Sequence, residues 1–368
     1  MRDYSFDDVV ILHDKERVPL SALARKKRHG VYRYFGAQGI IDYVDNYLFD
    51  GDYVLIAEDG ENLKSQKQNI ANYVSGKFWV NNHAHIVSTT DICRLKYFYY
   101  LINNMNISPF ITGSAQPKLS QSSMQKMTFK LPDIKTQDQI LGILESIDSK
   151  IEVNLQINKN LQLQAQAIYT HMIIDEADES WHQGLLSDVA TITMGQSPKG
   201  DTYNEVGTGS VFFQGRAEFG FRFPTRKLYT IDPKRMAKAS DVLMSVRAPV
   251  GDLNVAYEDC CIGRGLAAIR SQDNHQSFVL YTMLALRDQL DIFNGEGTVF
   301  GSINRESLNN MPIIIPPCKI IDNFESIVSP MDAAIRNNYE ESCHLQAIRD
   351  RMLPRLMSGK LDASVIDL

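Results

Sequence analysis

The chain has 368 residues, of which 44% are hydrophobic and 22% are charged. These fractions are near the average of globular proteins and exclude a largely disordered or collagen-like chain. The formal net charge of −6 argues weakly against a nucleic-acid ligand. However, residues 1–132 are net basic and residues 133–182 are strongly acidic. The net charge of the whole chain therefore conceals segments of opposite charge.

Neither secretion nor membrane insertion is expected. The first twenty residues are acidic where a signal peptide is basic, and no stretch approaches 18 uninterrupted apolar residues. The five cysteines are odd in number and contain no CxxC pair, which favours neither a disulfide framework nor a zinc ribbon. We therefore predict a cytoplasmic protein with no membrane partner.

Short strands and helices alternate in residues 1–132 and again in 183–317. In the first region, 51–60 and 77–88 read as strands and 90–104 as an amphipathic helix. The second region repeats the plan with strands in 240–256 and 260–270 and a helix over 277–293. The fold class that fits this alternation is α+β.

Each mixed region is followed by a helical segment with apolar residues at alternating spacings of four and three, which indicates a coiled-coil seam. A helix over 138–172 would be about 52 Å long. The seam turns polar at Asn154 and Asn338, flanked by Asn158 and Ser342, and such polar positions typically fix register. The seam positions are Ile140, Leu144, Ile147, Ile151, Asn154, Asn158, Leu161, Ala165, Ile168 and Met172, then Phe324, Val328, Met331, Ile335, Asn338, Ser342, Leu345, Arg349, Met352 and Leu356.

Two residues interrupt the second seam. Arg349 occupies a seam position, where neighbouring Ile348 can substitute for it, and Pro330 is expected to kink the helix or delay its start.

An internal duplication links the two halves of the chain. At an offset of 184 residues, 112–172 aligns with 296–356 without a gap, and 12 of the 61 positions are identical. We predict two variable domains, 1–132 and 183–317, a central helical spacer, 133–182, and a C-terminal helical spacer and tail, 318–368. Antiparallel pairing of the two helices would place the domains about a pseudo-twofold axis. In the alternative arrangement, each helix packs only against its own domain.

Motifs for catalysis or cofactor binding are missing. The sequence has no GxxxxGK[ST], HExxH or GxSxG motif, and Gly295-Glu296-Gly297 reads as a turn. His83-Ala84-His85 could bind a metal ion, but no cysteine or carboxylate cluster completes a site. We predict no metal site and no catalytic residue.

Side chains suited to DNA recur in both halves. Arginine, lysine, glutamine and asparagine bind phosphates or base edges. The alternatives are a solvated loop for the basic run at 25–28 and loop capping for the polar residues. The candidates are Arg25, Lys26, Lys27, Arg28, Arg33, Tyr34, Gln38, Asn62, Lys64, Asn81, Asn82, His83, Gln116 and Lys118, then Gln196, Lys199, Gln214, Arg216, Arg247, Arg264 and Ser302.

Several segments in consistent order resemble the specificity subunits of type I restriction-modification enzymes. They are YFGAQGIIDYVDNYLFDGDYVLIAEDG (34–60), WVNNHAHIV (79–87), ILESIDSKIEVNLQINKNLQ (143–162), SVRAPVGDLNVA (245–256), CIGRGLAAI (261–269) and RDRMLPRLMSGKLD (349–362).

The resemblance implies a non-catalytic subunit whose two recognition domains read a bipartite double-stranded DNA site across a helical spacer. It also implies two methyltransferase subunits, which use S-adenosylmethionine to modify adenine, and ATP-dependent restriction and translocase subunits, so that S-adenosylmethionine, ATP and Mg²⁺ belong to partners. The competing interpretations are a stand-alone DNA methyltransferase or nuclease and a coiled-coil scaffold without a DNA role.

Overall fold

The computed structural model describes residues 1–66, 68–113, 116–295 and 301–366. They form two compact units, one of residues 1–153 with 341–368 and the other of residues 154–340. Both boundaries fall inside long helices, so each unit contains one mixed domain and part of each helix. None of the helices in the described part of the chain combines the length and the hydropathy that a membrane span requires.

In the first half of the chain, the described residues form ten strands and six α-helices. The helix α6 covers 36 residues and continues as a π-helical segment, Thr170–Asp175. The elements are β1 Arg2–Ser5, α1 Phe6–Val9, β2 Val10–Leu12, α2 Ala22–Lys27, β3 His29–Gly36, β4 Gly39–Val44, β5 Phe49–Asp50, β6 Tyr53–Ala57, α3 Asn62–Ser65, β7 Ala71–Val74, β8 Lys77–Val80, β9 Ala84–Thr89, α4 Leu95–Asn104, α5 Gln121–Met124, β10 Thr128–Leu131 and α6 Ile134–Tyr169.

The second half repeats this order with small variations. The predicted helix over 277–293 is divided into two, and the last helix covers 40 residues. The elements are β11 His182–Leu185, α7 Leu186–Val189, β12 Ala190–Met194, β13 Tyr203–Asn204, β14 Ser210–Phe213, β15 Tyr229–Thr230, β16 Met236–Ala237, β17 Val242–Ser245, β18 Leu253–Val255, β19 Cys260–Ile262, β20 Leu266–Ser271, α8 Gln276–Ala285, α9 Arg287–Asp291, α10 Arg305–Asn309, β21 Pro312–Ile315 and α11 Cys318–Met357.

Strand order confirms the duplication. One four-stranded sheet runs β2-β9-β6-β7 in the first unit and β12-β20-β17-β18 in the second. A second sheet contains one parallel pair in each unit, β3 with β8 and β14 with β19. The offset of 184 also holds at the helix caps, because the side chains of Ser120 and Asn304 accept hydrogen bonds from the N–H groups of Ser123 and Ser307. The α+β fold with two tandem domains is thus as predicted.

The helices pair with each other in the first unit and also pack on the recognition domain. Ile140, Leu144 and Ile147 of α6 are buried in the same core as Phe98 and Phe129 of the domain and Leu356 of α11. The core of the first unit therefore contains both the predicted contact between the two helices and the alternative contact between a helix and its own domain.

In the second unit the paired helices are antiparallel. The Asn158 side chain donates to the carbonyl of Ile335 at 3.1 Å and accepts from Asn338 Nδ2 at 2.8 Å, while Tyr169 packs edge-on against Phe324. The residue numbers of the partners in α11 thus decrease as the residue numbers in α6 increase. Of the predicted polar seam positions, Asn154, Asn158 and Asn338 thus form interhelical hydrogen bonds.

The seam departs from prediction in three places. At the end of α6, Tyr169 and Ile173 are buried, whereas Ile168 and Met172 lie at the margin of the core. Pro330 does not delay α11, which starts at Cys318. Finally, Arg349 leaves the seam to pair with Asp148 at 2.7 Å, and Ile348 packs against the core in its place.

The remaining predicted seam residues lie in the cores or beside them. Ile335, Phe324 and Val328 are buried, and Ile151, Leu161, Met331, Leu345 and Met352 are half-buried. The proposed four-segment division at 132, 182 and 317 stays a prediction, because the compact units divide the helices at their middles.

Candidate nucleic-acid interface

In the first unit, the loops that follow β3, β6 and β8 meet a loop near residue 118. The Asn81 N–H donates to the Phe35 carbonyl at 3.0 Å, and His83 Nδ1 lies 2.6 Å from Asp59 Oδ2. Asp59 also forms a β-bridge with Lys118. These contacts gather the first loop cluster, which we define as Gln38, Asp59, Asn81, Asn82, His83 and Lys118. Apart from Asn81 and Asp59, these residues are exposed.

A buried ionic network supports this cluster. His85, only 1% exposed, lies between the Asp14 carboxylate, at 2.5 Å from Nδ1, and the Leu119 carbonyl, at 2.8 Å from Nε2. Arg17 forms ion pairs with Asp14 at 3.3 Å and with Glu58 at 3.0 Å. Glu58 also pairs with Lys118 at 3.2 Å. The network therefore holds the strand ends from which Asp59 and His83 project.

The two carboxylates of this network have depressed pKa values. Burial raises the pKa of Asp14, but the hydrogen bond and charge of His85, with the Ile86 N–H and Arg17, outweigh it and leave the pKa below its usual value. Burial likewise raises the pKa of Glu58, and hydrogen bonds from Arg17 and Lys118 with the His85 charge lower it further than burial raises it. Both carboxylates are thus stabilised in the ionised form.

In the second unit, equivalent loops surround a recess of about 260 Å³. Ser197 Oγ accepts a hydrogen bond from the Arg264 N–H at 3.2 Å, and Arg247 forms a β-bridge with Ser302. We define the second loop cluster as Gln214, Arg216, Arg247, Arg264 and Ser302, all of them exposed. The first four line the recess, so the structure brings together candidates separated by up to 50 positions in the sequence.

Strand register shows which positions of the two clusters correspond. Ala57 lies opposite Ala84 in the first unit, as Ser245 lies opposite Leu266 in the second. Two residues further along each strand stand Asp59 and Arg247, whose β-bridge partners are Lys118 and Ser302. Two residues before Ala84 and Leu266 stand Asn82 and Arg264. The predicted correspondence of the strand-end positions is confirmed.

Three candidates have structural roles instead. Tyr34 is fully buried, and its hydroxyl accepts a hydrogen bond from the Leu20 N–H at 2.9 Å, so the prediction of DNA contact is wrong for this residue. Asn62 caps its own loop through Gln68 and Asn69, and the buried Asn81 accepts from the His83 N–H at 2.8 Å. For both asparagines, loop capping, the alternative interpretation, is what the structure shows.

The arginines of the basic run are engaged by neighbours within the first unit. Arg25 pairs with Asp42 at 2.8 Å, and its guanidinium lies 5.1 Å from the centre of the Tyr34 ring. Arg28, which precedes β3, pairs with Asp45 at 2.9 Å and lies 4.8 Å from the centre of the Trp79 ring. Lys26 and Lys27 are exposed, and Arg33, within β3, donates to the Ser75 carbonyl.

The other candidates, Lys64, Gln116, Gln196 and Lys199, are exposed and stay predictions. Sequence reasoning did not single out Asp14, Ser197 or Asp252, whose roles depend on contacts distant in sequence. Of the predicted turn at 295–297, Glu296 and Gly297 lie outside the described residues. His83 and His85 point to different partners, Asp59 and Asp14, and the described residues contain no metal-binding cluster.

The family model for the type I restriction modification DNA specificity domain matches residues 2–163 and 178–342. The chain belongs to this family. The two matched stretches correspond to the two repeats of the fold. Membership in the specificity-domain family supports the DNA-recognition role, and it favours neither a stand-alone methyltransferase or nuclease nor a scaffold without a DNA role.

Individual relatives agree with the family assignment. The chain is 32% identical over 290 residues to a putative type I restriction enzyme specificity subunit from Methanocaldococcus jannaschii, covering 72% of this chain and 68% of that protein. Another putative specificity subunit, from Haemophilus influenzae, is 33% identical over 141 residues, or 38% of this chain and 36% of its own length. The crystal structure of a type I S subunit from M. genitalium shares the fold, with a TM-score of 0.57 at 15% identity over 96% of this chain and 95% of that one.

Proposed function

We propose that the chain is the DNA-sequence-recognition subunit of a type I restriction-modification complex, and that each loop cluster reads one half of a bipartite double-stranded site. One observation carries this proposal: the same strand ends in both units present exposed side chains that can bind base edges, with different residues in each unit. A repeated framework with divergent loops suits two different half-sites on one duplex.

The subunit is proposed to be non-catalytic and to act with partners in the cytoplasm. Two methyltransferase subunits would supply S-adenosylmethionine-dependent modification of adenine. Restriction and translocase subunits would supply ATP and Mg²⁺ chemistry. Methyl transfer or cleavage by the purified chain alone would contradict this division and favour a stand-alone enzyme.

Domain exchange tests the recognition proposal. Residues 183–315 are replaced by the corresponding segment of a relative, and the complex with methyltransferase subunits is offered randomised duplexes. We expect one selected half-site to change while the other is retained. A change in both halves would contradict separate reading, and selection of no bipartite sequence by the original complex would contradict the proposed function itself.

The helices are proposed to set the distance between half-sites. Insertion of one heptad after Val153 and a matched heptad after Glu340 would preserve the seam and add about 10.5 Å of helix, equivalent to about three base pairs of duplex. We expect the selected spacer to lengthen by about this amount with both half-site sequences unchanged. An unchanged spacer would contradict the role in spacing.

A further inference from the structure

We propose that the second loop cluster reads guanine, and that Arg247 and Arg264 are the residues that determine this specificity. The inference rests on the proposed function and names the bases that one half-site must contain. Its basis is the charge, the fixed placement and the hydrogen-bonding capacity of these two side chains.

The charges of Arg247 and Arg264 are available to a ligand. Within the described residues, neither guanidinium has an ion-pair or hydrogen-bond partner, although both side chains line the recess. Arg216, in the same recess, differs because it pairs with Asp252, which also pairs with Arg287 at 2.9 Å. Among the residues that the structure describes, two of the three arginines at the recess are therefore uncompensated.

Close packing fixes the backbone on each side of Arg264. A Cβ atom on Gly263 would lie 2.9 Å from Gln214 Cα, and one on Gly265 would lie 2.8 Å from the Gln214 carbonyl oxygen. Glycine is required at both positions because any side chain would collide with the backbone at Gln214. The Arg264 N–H is also bonded to Ser197. The guanidinium thus projects from a turn that is held on both sides.

Arg247 is held in a comparable way. The Val246 N–H donates to the Gly265 carbonyl at 2.9 Å, the Ile303 N–H donates to the Val246 carbonyl at 3.1 Å, and the Ala248 N–H donates to the Gly301 carbonyl at 3.0 Å. These bonds tie the end of β17 to the turn that carries Arg264 and to the loop at Ser302. A preorganised backbone lowers the entropy cost of binding and sharpens discrimination.

Guanine is the base that suits two free arginines. Its major-groove edge offers two acceptors, O6 and N7, which match the paired donors of a guanidinium. Adenine presents a donor beside N7, cytosine presents a donor, and thymine offers a single acceptor with a methyl group. Phosphate also binds arginine, but the convergence of both side chains with Gln214 in one recess favours an exposed base edge over the continuous phosphate backbone.

The test uses the full chain assembled with its methyltransferase subunits. A randomised duplex library first defines the bipartite site of the original complex, which we expect to contain guanine in one half. Each guanine is then replaced by 7-deazaguanine, which removes the N7 acceptor and retains base pairing. The replacement should weaken binding of the original complex about 5- to 150-fold at the positions read by arginine.

Variants identify which arginine reads which base. R247Q and R264Q should each lose discrimination at one guanine of the same half-site, and the matching 7-deazaguanine duplex should then bind no more weakly than the unmodified one. R247K and R264K retain the charge without the planar fork of the guanidinium, so they should keep the salt dependence and lose part of the discrimination, since a lysine ammonium can also bond O6 and N7. R226Q, at an exposed arginine paired with Glu258 outside the recess, should leave selection unchanged.

Two results would overturn the inference while leaving the proposed function intact. One is that R247Q and R264Q still select every guanine of both half-sites as strongly as the original complex does. The other is a selected site at which no 7-deazaguanine replacement weakens binding of the original complex, which would assign the two residues to phosphate contacts. Failure of the original complex to select any bipartite site would overturn the proposed function and this inference with it. Assembly with the methyltransferase subunits, compared by gel filtration, shows that each variant remains folded.

Discussion

The two loop clusters occupy the same strand ends and differ in charge. Where the first unit has Asp59 and Asn82, the second has Arg247 and Arg264, and Lys118 corresponds to Ser302. The framework therefore places exposed side chains at the same strand ends, and a few substitutions change their charge. Such a division lets one fold read unrelated sequences, because loop residues change at little cost to the core.

The supports beneath the clusters also differ. The first unit has His85 in its buried ionic network, whereas the register of β20 places Ala267 at the corresponding position of the second unit. There, Val242, Met244 and Ala267 belong to an apolar core. The first cluster is thus supported by ion pairs and the second by hydrophobic packing, which makes their responses to mutation and pH separable.

The largest effect is expected when the second cluster is given the chemistry of the first. The double variant R247D/R264N should bind the selected duplex about 100-fold or more weakly, because both base-reading guanidinium groups are removed and a carboxylate approaches DNA. Fluorescence anisotropy of labelled duplex with the assembled complex measures this weakening. A decrease below about threefold would contradict the assignment of these residues to the interface.

The supports of the clusters predict unequal responses to acid. Asp14 and Glu58 have lowered pKa values in the folded state. At a pH above the pKa values of the unfolded chain, the two ionised carboxylates therefore stabilise the first unit. This contribution is lost as the pH falls through their pKa values in the folded state. Burial instead raises the pKa of Asp332 in the second unit, so its contribution is present at low pH and lost as pH rises. Between about pH 5 and about pH 2, where these carboxylates become protonated, the first unit should therefore lose more stability than the second.

Single-tryptophan variants resolve this difference. W181F leaves Trp79, a buried residue of the first unit, and W79F leaves Trp181 in the second. We expect the urea midpoint reported by Trp79 to fall more on acidification than the midpoint reported by Trp181. Equal shifts would contradict the contrast, and H85A in the W181F background should reduce the shift for Trp79.

An intermediate effect is expected at the polar seam of the second unit. Asn158→Ala removes the bond to the Ile335 carbonyl and the one from Asn338 Nδ2, which should cost about 1–3 kcal/mol in the free energy of unfolding. Urea denaturation measures this cost. Ile157→Ala, at an exposed neighbour on the same helix, should cost less than about 0.5 kcal/mol. Equal costs would assign Asn158 no special role in pairing.

The smallest effect is expected at the basic run of the first unit. K26Q/K27Q should weaken binding to all sequences alike and reduce the slope of log K against log salt by up to about two, near one for each phosphate that is no longer neutralised. Arg25 and Arg28 are left in place because they pair with Asp42 and Asp45. An unchanged slope would mean that both lysines are merely solvated.

The repeat, the two long helices and the correspondence between strand ends could be predicted from the sequence alone. These features depend on spacing along the chain, such as the offset that relates Ser120 to Asn304, or on periodicity, such as that of Leu144 and Ile147. They can be read without knowing which distant segments touch.

Which polar candidates remain exposed and unpaired depends on contacts between segments that are distant in the sequence. The buried Tyr34 hydroxyl is hydrogen-bonded to the Leu20 N–H, and Arg25 forms an ion pair with Asp42. Arg247 and Arg264, in contrast, line one recess. The physical reason is that exposure and charge compensation depend on neighbours brought together by strand pairing, which residue type and local pattern do not encode.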